Sequence, residues 1–340
     1  MHRGVVRCSL AAALFGASAP AASRLAADVS PFVLAGLLYL GAALAVAPLV
    51  ARTPPTVAAL RSGGSRLTLA VLFGGALGPV LLAVGLRHTP VASASLLLNM
   101  ELVFTVVLAA VAFREHLGVR IVAGTALVVA ACIGLGWSGS ADVRIGALAI
   151  VAACACWGID NCVTANLDEL TPSQITFTKG VVAGSVNLAI GLLAGAGPSA
   201  GQTVAALAIG AVGYGASITL WVAGARDLGA ARGQLVFATA PFVGALVAWT
   251  VLGSPVTARE LAALAIAAIG VACVLGSAHE HEHRHHVLDH DHEHRHDDGH
   301  HDHVHGEPVL AGTVHTHRHA HRELVHAHPH VPDLHHHHDH

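Results

Sequence analysis

Apolar residues fill this chain in long blocks, with neither the strict alternation of a half-buried strand nor the one-sided stripe of a soluble amphipathic helix. Ten such blocks fall at about 5–22, 31–50, 68–86, 91–113, 118–137, 145–164, 174–195, 203–224, 233–252 and 259–276. Each approaches the ~20 residues a helix needs to cross the hydrocarbon core of a bilayer. The pattern predicts an all-α integral membrane protein with ten transmembrane helices joined by short loops. The blocks also echo one another. Arg87 and Arg120 flank the fourth as Arg226 and Arg259 flank the ninth, and Phe15-Gly16 followed by Ser30-Pro31 returns as Trp157-Gly158 followed by Thr171-Pro172. The first block therefore has a counterpart deep in the chain and is read as a span, not a cleaved leader. The echo divides the chain into five-helix halves, 1–140 and 141–277. An odd number of spans per half turns the second upside down relative to the first, giving two inverted five-helix repeats.

Composition narrows the class. With 54% hydrophobic and 11% charged residues and a mean hydropathy of +0.62, the chain is too apolar for a soluble domain. The net charge of −3 conceals a split, since residues 278–340 carry −8 and leave +5 for residues 1–277. That excess is too small and scattered for a nucleic-acid footprint. It does orient the chain. Arg3, Arg7, Arg52, Arg61, Arg66, Arg114, Arg120, Arg226 and Arg232 fall on one side, against Arg24, Arg87, Arg144 and Arg259 on the other, which places both termini in the cytoplasm of a cytoplasmic (inner) membrane protein. All six cysteines lie in apolar runs and give no disulfide framework, and Cys154-x-Cys156 places its thiols on different helix faces. No nucleophile–base arrangement or phosphate-binding glycine loop marks an enzyme. Glycines and alanines within the spans suit close helix packing, and Pro20, Pro79 and Pro241 are candidate kinks that free backbone carbonyls.

Polar residues inside the spans carry the candidate chemistry. Asn99 and Glu101 lie near the centre of the fourth block, where an ionised carboxylate costs at least ~2.5 kcal/mol even on lenient insertion scales. Glu101 should therefore face a cavity or a partner, and proton exchange there is the requirement for proton-coupled transport. Asp160 and Asn161 in the sixth block and Lys179 in the seventh form a buried pair, or Lys179 snorkels to the interface. Asn187, Tyr214, Trp221 and Gln234 add hydrogen-bonding and stacking capacity, completing a candidate substrate cavity.

The C-terminal segment is of another kind. From residue 278 onward 25 of 63 residues are histidine, many at alternate positions among Asp and Glu. Apolar residues are too few to bury a core, so the expectation is a disordered tail. Its candidate ligands are His281, His283, His285, His290, His292, His294, His296, His301, His303, His305, His315, His317, His319, His321, His326, His328 and His330. Imidazoles and carboxylates at this density suit labile binding of Zn, Ni, Co or Cu ions, with no cofactor required.

Three features together carry a resemblance: the repeat plan, Leu96-Leu97-Leu98-Asn99-Met100-Glu101 leading into Phe113-Arg114-Glu115-His116-Leu117, and Ala240-Pro241-Phe242-Val243 at the matching place in the second half. Residues 5–277 resemble the EamA-type permeases of the drug/metabolite transporter (DMT) superfamily. Leu102 and Arg114 depart from the family's usual proline and glycine, and Gly253-Ser254 stands where a terminal Glu is common. The resemblance implies a permease or exporter of small molecules. The expected function is a secondary-active, alternating-access exporter of a small molecule or metal-related solute, proton-coupled at Glu101, with a metal-binding tail. The competing expectation is a membrane-anchored metal buffer or sensor that does not transport. Its partners are the substrate and the lipid bilayer, and a homodimer is left open.

Overall fold

The computed structural model describes residues 2–113, 118–137, 140–164, 167, 169–195, 197–228, 236–275, 279–285, 289–295, 314–320 and 324–330. They fall into two compact units, within Met1–Ser277 and within Ala278–Val331.

The first unit is helical. Its helices are α1 (His2–Ala26), α2 (Pro31–Arg52), α3 (Val57–Ser62), α4 (Gly64–Leu69), α5 (Gly78–His88), α6 (Val91–Leu97), α7 (Met100–Phe113), α8 (Val119–Trp137), α9 (Ala141–Thr164), α10 (Pro172–Ala194), α11 (Ala200–Gly210), α12 (Ser217–Leu228), α13 (Ala240–Thr250) and α14 (Ala258–Leu275). Two π-helical segments, π1 (Ala70–Leu77) and π2 (Ala211–Ala216), join α4 to α5 and α11 to α12. Among the described residues eight helices are long and apolar enough to cross a membrane, the last ending at Trp221. The ninth predicted block shows the shorter apolar helix α13, and the tenth shows the eighteen-residue α14. Outward-facing apolar side chains such as Leu193, Val111 and Leu148 suit a lipid surround.

Local chemistry explains where the helices begin. Ser30 accepts from Val33 N ahead of Pro31, and Thr171 forms a capping box with Gln174 ahead of Pro172. These are the two Ser/Thr-Pro sites that the repeat predicts, and each satisfies backbone donors that a helix start leaves free. A further box at Thr257 and Glu260 starts α14, and the other carboxylate oxygen of Glu260 accepts from Ser93 Oγ at 2.9 Å, tying α14 to α6.

Two irregularities position the site. The fourth block is expected as one continuous helix, but it breaks at Leu98 and Asn99, where bonds run to the third residue back, Asn99 N to Leu96 O and Leu102 N to Asn99 O, each at 3.2 Å. A similar break stands at Ala238 and Thr239, just before Pro241, with Phe242 N bonded to Thr239 O at 3.1 Å. The π segments shift the ladder the other way. Gly78 N reaches Phe73 O, five residues back, immediately before Pro79, whose missing N–H removes one ordinary rung. Pro20, by contrast, lies within a helix that runs from His2 to Ala26.

The second unit holds the histidine-rich segment. Strand β1 (His279–His285) pairs antiparallel with β4 (Leu324–His330), and β2 (Asp289–Arg295) pairs with β3 (Val314–Ala320). Histidine at alternate positions has the two-residue period of a strand, which is the pattern the backbone adopts here. The side chains of these strands lie outside the described set, and His296, His301, His303, His305 and His321 lie outside the described residues altogether.

Candidate functional site

The two helix breaks line one small cavity. Leu98, Asn99, Glu101 and Leu102 come from the first break and Phe237, Ala238, Ala240 and Pro241 from the second, with Phe15 of α1 closing the lining. Its volume is about 30 Å³, room for about two waters, so a larger solute enters only when the helices part.

Glu101 opens the cavity's polar network. Its Oε1 accepts from Asn161 Nδ2 at 3.1 Å, and the same nitrogen lies 3.2 Å from Thr105 Oγ1. Asn99 is 2% exposed and donates from Nδ2 to the Leu96 carbonyl at 2.8 Å, satisfying one group that the break releases. The Cys154 thiol approaches the Leu97 and Leu98 carbonyls at 3.9 and 3.8 Å. This contact gives Cys154 a packing role in place of a metal-ligating one.

One residue along, Asp160 leaves the cavity and joins a second cluster on π1. Lys179 Nζ pairs with Asp160 Oδ2, and Thr164 Oγ1 donates to Asp160 Oδ1 at 3.1 Å. Of the two expectations for Lys179 the buried pair holds. The ion pair lies against Gly74, where a Cβ would stand 2.1 Å from Asp160 Oδ2. Only glycine leaves space for the carboxylate. Side chains from three helices cap the π1 carbonyls: Tyr39 OH and Trp157 Nε1 both donate to Gly74 O, and Asn187 Nδ2 donates to Ala76 O at 3.2 Å.

Aromatic rings separate the two clusters. Phe15 meets Tyr214 edge-on at 5.6 Å, Phe237 at 5.4 Å and Trp157 at 6.4 Å, and Tyr39 meets Tyr214 at 5.6 Å. Trp221 packs on Phe237 at 6.1 Å, with its Nε1 buried and lacking an acceptor.

The nine site residues predicted from sequence therefore divide. Asn99 and Glu101 line the cavity and Asn161 braces Glu101. Asp160, Lys179 and Asn187 gather on π1, Tyr214 and Trp221 belong to the aromatic layer, and Gln234 lies outside the described residues, as do residues 114–117 of the quoted motif. Sequence reasoning did not single out Tyr39, Thr105, Gly74 or Phe237 as site residues. Phe15 was visible only as a repeat landmark, and Pro241 as a landmark and a candidate kink.

Membrane-length helices around a polar cavity at paired helix breaks describe a multi-pass membrane protein. Residues 2–137 and 144–276 each match the EamA-like transporter family, and the chain belongs to that family, within the drug/metabolite transporter superfamily. It is 27% identical over 200 residues to an uncharacterized transporter of Methanothermobacter thermautotrophicus, a match covering 56% of this chain. The chain spans 58% of that relative's length. A protein of known crystal structure superimposes with a TM-score of 0.59 at 19% identity, covering 79% of this chain and 96% of its own, which is a likeness of fold.

Proposed function

We propose that this protein is a proton-coupled secondary exporter that works by alternating access in a cytoplasmic membrane. Its ten spans form two inverted five-helix repeats, with both termini in the cytoplasm. The observation that carries the reading is Glu101, a carboxylate on the cavity where the broken fourth and ninth spans meet. Discontinuous helices facing each other at a repeat boundary are the recurrent setting of transporter binding sites.

Reciprocal packing supports the inverted plan. Helix α1 packs on α12, π2 and α13, as α9 packs on α5, π1 and α7. The self-paired contacts are α2 with α10 and α8 with α14. Gly16 meets the Ala240 carbonyl in one half as Gly158 meets Phe104 in the other. The two family matches support a boundary between the halves near residue 140.

Reconstitution into proteoliposomes with an imposed pH gradient tests the coupling. Glu101→Gln removes the exchangeable proton while keeping size, so proton-linked flux should fall at least tenfold. Undiminished flux in that variant removes Glu101 from the mechanism.

The tail is proposed to hold Zn, Ni, Co or Cu ions labilely on the cytoplasmic side, its histidine content being the support. Full-length protein should bind several equivalents of Ni, and a chain truncated at residue 277 should bind almost none. If metal tolerance follows the tail on an unrelated membrane anchor and no flux is measurable, the buffer reading replaces this one.

A further inference from the structure

The cavity carries a substrate class in its chemistry. Among the described residues Glu101 is the ionisable side chain of the lining, and no cationic side chain joins it there. The nearby ammonium of Lys179 is engaged with Asp160. Asn161 occupies Glu101 Oε1, leaving Oε2 with no described donor. Asn99 holds its amide nitrogen against the Leu96 carbonyl, which turns its carbonyl oxygen away from that turn of helix. What this end of the cavity offers a ligand is therefore mainly acceptor oxygen, one of them on a carboxylate.

The remaining lining is apolar, with the rings of Phe15 and Phe237 on opposite halves of the protein. Ring faces beside a carboxylate attract a cation that brings an apolar body. A carboxylate on the ligand would meet Glu101 without a cation to offset it, so an amino acid is disfavoured against the corresponding amine. A bare divalent ion is a poor fit too, because one carboxylate and one amide fall short of the four or more ligands such ions take.

We propose that the cavity binds a protonated amine on an apolar or aromatic body, its N–H groups donating to Glu101 and Asn99 and its body lying against Phe15 and Phe237. Such a ligand and a proton compete for the same carboxylate, and one site thereby serves both sides of an exchange. The inference deepens the transporter reading at its own site and rests on that reading for the opening of the cavity.

Calorimetric titration of the full-length protein in detergent with three matched probes tests it: phenethylamine, phenylalanine and phenethyl alcohol. Phenethylamine should bind at least tenfold more tightly than either of the others. Glu101→Gln should abolish the preference, Glu101→Asp should restore part of it, and Phe237→Leu should weaken amine binding about fivefold. Thermal melting of each variant separates lost binding from lost fold. Equal binding of phenylalanine or the alcohol, unchanged amine binding in Glu101→Gln, or no amine binding at all overturns the proposal. Amine binding that depends on Glu101 without proton-linked flux in proteoliposomes would sink the transporter reading and leave the cavity's chemistry standing. Flux restricted to neutral or anionic solutes would do the reverse.

Discussion

The two π segments occupy corresponding places in the two halves, yet one is charged and the other neutral. Against π1, Asp160 presses its carboxylate on Gly74 and holds Lys179. Against π2, the residue in Asp160's place is Ser18, two positions after Gly16 as Asp160 is two after Gly158, and its Cβ lies 2.4 Å from where a Cβ on Gly213 would stand. Counting from Pro31 and Pro172, Lys179 corresponds to Leu38. The backbone carbonyls follow suit. Those of π1 are capped by Tyr39, Trp157 and Asn187 from other helices, whereas Gly215 O in π2 accepts from Thr219 of its own helix. The breaks show the same bias, with Asn99 and Glu101 in the fourth span facing Ala238 and Ala240 in the ninth. One backbone plan used twice thus supports a half with a buried ion pair on its π segment and a half whose counterpart is neutral, joined to its neighbours by packing and by bonds such as Ser217 Oγ to Ala11 O at 2.9 Å.

The largest test of that contrast is to unpair the charges. Lys179→Met leaves Asp160 buried and uncompensated, which should destabilise the fold by about 3–5 kcal/mol, read from denaturation in detergent. Combining it with Asp160→Leu should recover most of the loss, because replacing a buried pair by packed apolar groups is close to neutral. Ser18→Ala in the other half should cost about 1 kcal/mol, since Ser18 Oγ donates to Phe15 O of its own helix and meets the Tyr214 hydroxyl but carries no charge. A Lys179→Met protein as stable as wild type would erase the distinction between the halves.

A medium effect is expected at the glycine. Gly74→Ala pushes a methyl into the Asp160 carboxylate and should cost about 1–3 kcal/mol. Placed in a protein already carrying Asp160→Ser and Lys179→Leu, the same change should cost less, because the first half then resembles the second and a small side chain faces the glycine. An equal cost in both settings would show that helix packing, and not the ion pair, demands glycine at this position.

What the sequence made legible follows from what its physics encodes locally. Eight of the ten apolar blocks and two Ser/Thr-Pro caps announce membrane-length helices and their starts, because burial length and capping are properties of consecutive residues. A carboxylate in mid-span announces Glu101 as a site residue for the same reason. The break at Leu98–Asn99 was not legible, since Leu and Asn carry no helix-stopping signal strong enough to outweigh a block of apolar neighbours, whereas Pro241 marked the ninth block as a candidate kink without fixing the break at Ala238–Thr239. Nor were the π segments legible, although in π1 Pro79 stands directly after the Gly78 N–H that reaches five residues back. The division of the polar residues between cavity and π1 depends on which helices touch, and spacing along the chain does not contain that. Asp160 and Asn161 are adjacent in sequence and serve different clusters because neighbouring residues on a helix point about 100° apart.

The smallest test concerns how tightly Glu101 is held. Asn161 Nδ2 lies between Glu101 Oε1 and Thr105 Oγ1, at 3.1 and 3.2 Å, so Thr105 is one of two acceptors that fix the amide. Thr105→Val keeps the branched shape and removes the hydroxyl, which should cost about 0.5–1.5 kcal/mol in stability. The more telling readout is Glu101 itself. A freed Asn161 amide has Glu101 as its remaining described acceptor, so the bond to the carboxylate should strengthen and hold its charged form more firmly. The pH midpoint of proton-linked flux should then move to lower pH in Thr105→Val, and Asn161→Ala, which deletes the donor, should move it to higher pH. Opposite shifts tie Glu101 to the neighbouring helix as a tuned group. Shifts of the same sign would mean that both variants act through packing, and the polar half would owe its character to the Asp160–Lys179 pair alone.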